Sequence, residues 1–189
     1  MKKGSNDVDI EGNTKDFLQI AKSIATNGLF DIVICDSVLN SVDTLQAEKA
    51  VINTCRALCK RGGVVFISGR SLEGFKSQAE SFHKNQEDKY VKFYDKNYFT
   101  ALYRNGEWFY QKFHTKDMVE SIAKLISSKA QIFYNGDAFE IMAINDNIIS
   151  EEDGINALKF EFDLPLPNGK RYGLAKTIEI SYRNAISNY

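Results

Sequence analysis

Residues 30–70 read FDIVICDSVLNSVDTLQAEKAVINTCRALCKRGGVVFISGR, and no other stretch restricts the fold as strongly. The run opens with FDIVIC, which is apolar and rich in β-branched residues apart from Asp31. Such a run predicts a strand covered on both faces, as in parallel sheets. Asp43 or Thr44 can cap a following helix whose inward stripe is Ala47, Ala50, Val51, Thr54, Cys55 and Leu58. Lys60 and Arg61 stand where a helix C-terminus favours cations, and Gly62-Gly63 would end it. VVFISG then reads as a second buried strand. Strand, helix and strand of these lengths predict a right-handed crossover with parallel strands, and so an α/β fold.

The flanks extend this unit. Asn13 or Thr14 can cap a helix over residues 15–27, with Phe17, Leu18, Ala21, Ile24 and Ala25 on one face and Gly28 as its stop. Residues 71–96 read as a charged, partly helical surface insertion. Asn105-Gly106 and Asn135-Gly136 each lie between alternating runs and predict hairpins. Between them Thr115 can cap a helix reaching Ser127, with Met118, Val119, Ile122, Ala123 and Ile126 facing inward. The second hairpin would close a mixed sheet with an antiparallel pair. LKFEFDLPLPNGKRYG reads as a hairpin or a strand-turn, which Pro165 and Pro167 restrict to an edge. Residues 174–189 fit helix or strand equally. The organisation expected is one domain over 1–149, with an insertion or lid at 71–114, and a C-terminal extension over 150–189.

Bulk properties narrow the function class. A chain of 189 residues suits one domain, and its net charge of −1 gives no basic field for nucleic acid. No apolar run approaches the ~20 residues that span a bilayer. Residues 1–13 lack the apolar core of a secretory signal. Three cysteines offer no disulfide framework, which points to a reducing cytoplasm. Cys55 and Cys59 lie four apart and Cys35 ends a strand, but His83 and His114 fall in distant segments, so buried thiols are expected and no metal site. The aromatic run from Tyr98 to Phe113 includes Trp108 and interleaves Arg104 and Lys112. That mixture can stack bases, yet it equally suits a half-buried sheet, and packing in a core or lid is the expectation. Residues 83–89 read as a solvated mixed-charge surface, and SEEDG at 150–154 as an acidic helix start or loop.

In open α/β sheets, ligands bind beyond the carboxyl ends of the parallel strands. The two strands end in Asp36-Ser37 and in Ser68-Gly69-Arg70, which would share one crevice with Asn40. Asp36 and Asn40 can hydrogen-bond a polar ligand, and Arg70 can pair an anionic group. The competing structural role is that Asp36 or Asp43 caps the next helix.

With FDIVICDSVLNSV followed by ALCKRGGVVFIS, the segment resembles the middle of a class I S-adenosylmethionine-dependent methyltransferase. In that family a fourth strand of the form FD-apolar-apolar ends in a polar motif beside the methyl donor, and a helix leads into L-K-x-G-G and a fifth strand. DSVLNSV is most similar to methyltransferase domains found fused to ParB-like domains. The resemblance implies a partial Rossmann-like methyltransferase fold over roughly residues 7–145. It places Asp36 near both donor and target atom, with Ser37 and Asn40 extending that loop and Ser68 and Arg70 on the substrate side. Asp9 would be the acid near the adenine. Ser37-Val38-Leu39 replaces the N/D-P-P-Y motif of amino-methylating DNA enzymes, so the resemblance does not extend to that substrate.

The family's glycine-rich donor loop has no counterpart here, since no G-x-G occurs. The expectation is therefore a truncated or fragment form in which S-adenosylmethionine binds weakly or not at all, with the methyl acceptor undefined. In the family the fourth strand also pairs with the first, so FDIVIC would be left with an apolar, unpaired edge. A complementing chain or a second copy could cover that edge, or a C-terminal strand such as TIEISY. The alternative function is a non-catalytic, methyltransferase-like interaction module that uses the exposed edge for a partner or for self-association.

Overall fold

The crossover expected from residues 30–70 is present: β1 (Phe30–Cys35) and β2 (Cys59–Arg70) are parallel and joined through α2 (Leu45–Leu58). The structure, a computed structural model, describes residues 8–82, 91–93, 99–104, 107–166 and 169–187. Upstream lies α1 (Ile10–Asn27); downstream come α3 (Leu72–Phe82), the strands β3 (Val91–Phe93), β4 (Phe99–Arg104) and β5 (Glu107–Lys112), and α4 (Lys116–Ile126). Then follow β6 (Gln131–Asn135), β7 (Ala138–Ile144), α5 (Glu151–Phe162) and α6 (Ala175–Ser187). The chain is α/β, with a four-stranded mixed sheet ordered β1-β2-β7-β6 and a separate antiparallel sheet β3-β4-β5.

Both expected hairpins pair in register. Arg104 opposes Glu107 across β4 and β5, and the turn residues 105–106 lie outside the described residues. In the second hairpin Asn135 pairs with Ala138, so the two-residue loop is Gly136-Asp137 and not Asn135-Gly136. Gly136 supplies the positive φ of 59° that such a tight loop demands. Thr44 and Thr115 cap α2 and α4 as expected, accepting from Ala47 N and Met118 N. The cap of α1 is Asp9, which accepts from Gly12 N at 3.1 Å and starts the helix five residues before the expected start.

Several expectations need correction. α2 stops at Leu58, so Lys60, Arg61 and the two glycines belong to β2 and do not end a helix. Gly62, at φ 80°, exchanges backbone hydrogen bonds with the end of β7, because Gly62 N donates to Asn145 O and Asn145 N to Gly63 O. LKFEF continues α5 and is not a strand; beyond it, among the described residues, Pro165 and Arg171 form an isolated bridge. TIEISY lies in α6, so it does not cover the β1 edge.

The largest correction concerns β1. The sheet packs one face on α2 and α4, where Cys35, Val65, Ile67, Phe139 and Ile141 meet Ile52, Cys55, Val119, Ile122 and Ile126. A second cluster gathers α1, α5 and α6 around Ala57, Leu58 and Phe30, which explains why α2 is buried on more faces than a single stripe predicts. Neither cluster reaches the opposite sheet face. There Ile32 (60%) and Ile34 (67%) are largely exposed, and Phe133, Met142 and Ile144 are exposed with them. The register makes these neighbours: Ile34 pairs with Phe66 and Phe66 with Met142, while Ile32 pairs with Val64 and Val64 with Ile144. FDIVIC is therefore covered on one face and lies at the edge of the sheet.

Candidate functional site

β1 and β2 end side by side, with Cys35 opposite Ile67, and this brings Asp36 to Ser68. Ser68 Oγ donates to Asp36 Oδ1 at 2.5 Å and accepts from Ser37 N at 2.9 Å. Ser37 Oγ also reaches Asp36 Oδ1 at 3.3 Å. Ser37 has φ 59°, and it is the one non-glycine residue in the left-handed region among the described residues. That conformation costs an ordinary side chain roughly 1–2 kcal/mol and tends to be kept where a loop must hold a particular geometry. Here it turns the chain sharply at the strand end so that the Ser37 amide meets Ser68. Asp36 Oδ2 has no hydrogen-bond partner among the described residues, and the side chain is exposed.

Asn40 belongs to a short 3-10 turn, Leu39–Ser41, and is buried. Its Oδ1 accepts from Arg70 N at 2.7 Å, so it ties the loop after β1 to the end of β2. A Cβ at Gly69 would meet the Phe139 ring at 2.5 Å and Asn40 Oδ1 at 3.1 Å, so only glycine lets this turn settle on the strand. Arg70 is ion-paired with Asp137 in the β6–β7 loop. At the ends of β1 and β2, hydrogen bonds thus join Asp36, Ser37 and Ser68 in one group and Asn40 with Arg70 in another. Asp36 contacts Ser68, on the uncovered face of the sheet, whereas Asn40 faces the packed side. Asp9 serves as the cap of α1 and makes no hydrogen bond with either group. Asp43 does not cap α2, a role taken by Thr44.

Beside these residues lies a network that no local pattern of the chain predicts. Glu48 of α2 receives an ion pair from Lys112 and a contact at 2.8 Å from His114 Nε2, and Lys112 and His114 are fully buried. Burial pushes the Glu48 carboxyl up, but its bonds to His114 and Lys112 outweigh this and hold it below the ordinary glutamate value. The main chain of His114 bonds the end of β2 and the start of α3, donating to Arg70 O and accepting from Leu72 N, and its ring meets Phe139 edge-on at 5.2 Å. Its Nδ1 has no partner among the described residues. β5 packs on the 3-10 turn, and Tyr110 Oη donates to Val42 O at 2.9 Å. The insertion is therefore anchored on the strand-end loop through Tyr110 and on α2 through Lys112. The side chains of Tyr98, Arg104 and Trp108 lie outside the described residues, as do His83 and the mixed-charge run 83–89. Glu48 and Lys112 sit 64 positions apart in segments of different pattern, so no local signal links them.

Cys35, Cys55 and Cys59 are free and buried, in keeping with structural thiols. Among the described residues no group of His, Cys, Asp or Glu could hold a metal ion, and no helix is long and apolar enough to cross a membrane. No protein-family model matches the chain, and no curated protein matches it.

Proposed function

We propose that this chain is the substrate-side half of a class I methyltransferase-type domain with a partial Rossmann-like fold. On this reading it acts on S-adenosylmethionine only when a donor-side strand and helix cover β1 and the open sheet face. One observation carries the reading: the polar strand-end residues around Asp36 lie beside an exposed apolar sheet face and a β1 edge that has no strand partner among the described residues. The parallel β1–β2 pair, the crossover helix and the closing antiparallel β7–β6 pair support it. In the complemented site, Asp36 Oδ2 accepts a proton or hydrogen bond from the methyl acceptor while Ser68 holds Oδ1. The loop at Ser37 and Asn40 sets the angle of approach for in-line transfer. The β3-β4-β5 insertion, resting on that loop, forms one wall of the acceptor pocket.

Photo-cross-linking tests this reading through its weak site. Methyl-labelled S-adenosylmethionine at millimolar concentration should label the peptide carrying residues 36–40, and Asp36→Ala should lose the label without loss of helix signal. Label elsewhere, or label indifferent to Asp36, would overturn the assignment. Calorimetric titration of the same chain should show weak or no heat, and micromolar affinity would refute the role given to the missing glycine-rich loop.

The open face favours one second reading, a non-catalytic module that docks a partner or a second copy. Its five exposed apolar side chains present on the order of 500 Å², the upper range for a monomer, if a fully exposed large side chain offers ~200 Å². Under this reading sedimentation shows concentration-dependent association that Ile34→Lys abolishes, with no cross-linking to the donor.

A further inference from the structure

At the opposite end of β2 from Asp36 lies a cleft of about 480 Å³ between the end of α2, the start of β2, the loop after β7 and α6. Eight residues separate Lys60 from Ser68 along β2, roughly 25 Å of strand, so the cleft is distinct from the candidate site. Its walls combine cations, Arg56, Lys60 and Arg61, with hydrocarbon from Leu29, Ile149 and Ile186.

Arg56 is the unusual member. Only 8% of it is exposed, and its guanidinium is held by neutral groups, Nη1 donating to Asn53 Oδ1 at 2.9 Å and Nη2 to Asn147 O at 3.0 Å. Its Nε has no partner, and it forms no ion pair among the described residues. Asp153 acts on it only through space. A buried cation is ordinarily paired with a carboxylate, because losing its hydration is costly. The one carboxylate lining the cleft, Glu151, is engaged by Arg183, and Lys60 is engaged by Asp31. Arg61 forms no ion pair among the described residues. The cleft therefore holds positive charge that its own walls do not neutralise, next to an apolar surface sized for a small molecule.

We propose that this cleft binds a small organic carboxylate with an apolar body, its carboxylate set against Arg56 and Arg61 and its hydrocarbon against Leu29, Ile149 and Ile186. The binding is independent of methyl transfer and of the sheet edge.

Octanoate is a suitable probe, with octanamide as its uncharged counterpart. Calorimetry on the full chain should show saturable binding of one octanoate per chain, with octanamide at least about tenfold weaker. Arg61→Glu, on the exposed rim, should weaken octanoate about tenfold or more while leaving the fold unchanged by circular dichroism, and Arg56→Met should do the same at the buried end. Ile34→Lys, on the distant open face, should leave it unaltered. Absence of saturable binding, equal affinity for octanamide, or sensitivity to Ile34→Lys but not to Arg61→Glu would each overturn the proposal.

Discussion

Replacing Glu48 by Gln isolates the energetics of the buried network. The substitution keeps the shape and removes the negative charge that faces the buried Lys112 and His114. Removing one partner of a buried ion pair costs about 3–5 kcal/mol, chiefly because the remaining charge has lost its compensation. Against a total stability of about 5–15 kcal/mol this is a large fraction. For a chain of this size it corresponds to a fall in Tm of roughly 6–20 °C, at ~2–4 °C per kcal/mol. Urea unfolding followed by circular dichroism measures it directly. The diagnostic companion is Glu48→Gln with Lys112→Met, which also removes the cation that Glu48 had paired and should recover at least half of the loss. A single-variant cost below about 1 kcal/mol, or a double variant no better than the single, would refute the idea that charge compensation, and not shape, holds this corner. The same pairing has a sign in pH. The folded-state value of Glu48 lies below its ordinary 4.5, so the contribution is present above pH 4.5 and is lost as the pH falls through the folded value. The acid limb of the stability curve should therefore flatten in Glu48→Gln relative to wild type.

Two further outcomes follow from packing. Gly74→Ala lies within α3, where helix propensity alone would favour alanine by about 1 kcal/mol, but its Cβ would stand 2.1 Å from Gly136 O. The net effect should be a loss of about 1–3 kcal/mol in urea unfolding, and a stabilised variant would show that α3 does not press on the β6–β7 loop. Burial raises the Cys59 thiol to about 11, and the hydrogen bond between Cys35 and Cys55 lowers the first thiol and raises the second; all three are buried, so a thiol reagent at pH 8 should leave them intact in the native protein and titrate three in denaturant.

Local order was readable from the sequence wherever a short segment carries its own signal. The β1-α2-β2 crossover, the threonine caps of α2 and α4, the two hairpin pairings and the inward stripe of α4 all follow from periodicity, capping chemistry and turn residues separated by a few positions. The meeting of Asp36, Asn40, Ser68 and Arg70 followed as well, because parallel strands joined by one helix must end together. What the tertiary structure alone decided depends on partners distant in the chain. An apolar strand such as FDIVIC looks the same whether helices cover both faces or one, since the sequence of a strand records its hydrophobicity and not the presence of its cover. LKFEF alternates like a strand but is helical, because the α5 face it extends packs on α2 and α6. The Glu48–Lys112–His114 network and the uncompensated Arg56 arise where segments many residues apart are pressed together, and burial, which sets the cost of their charges, exists only once the chain is folded.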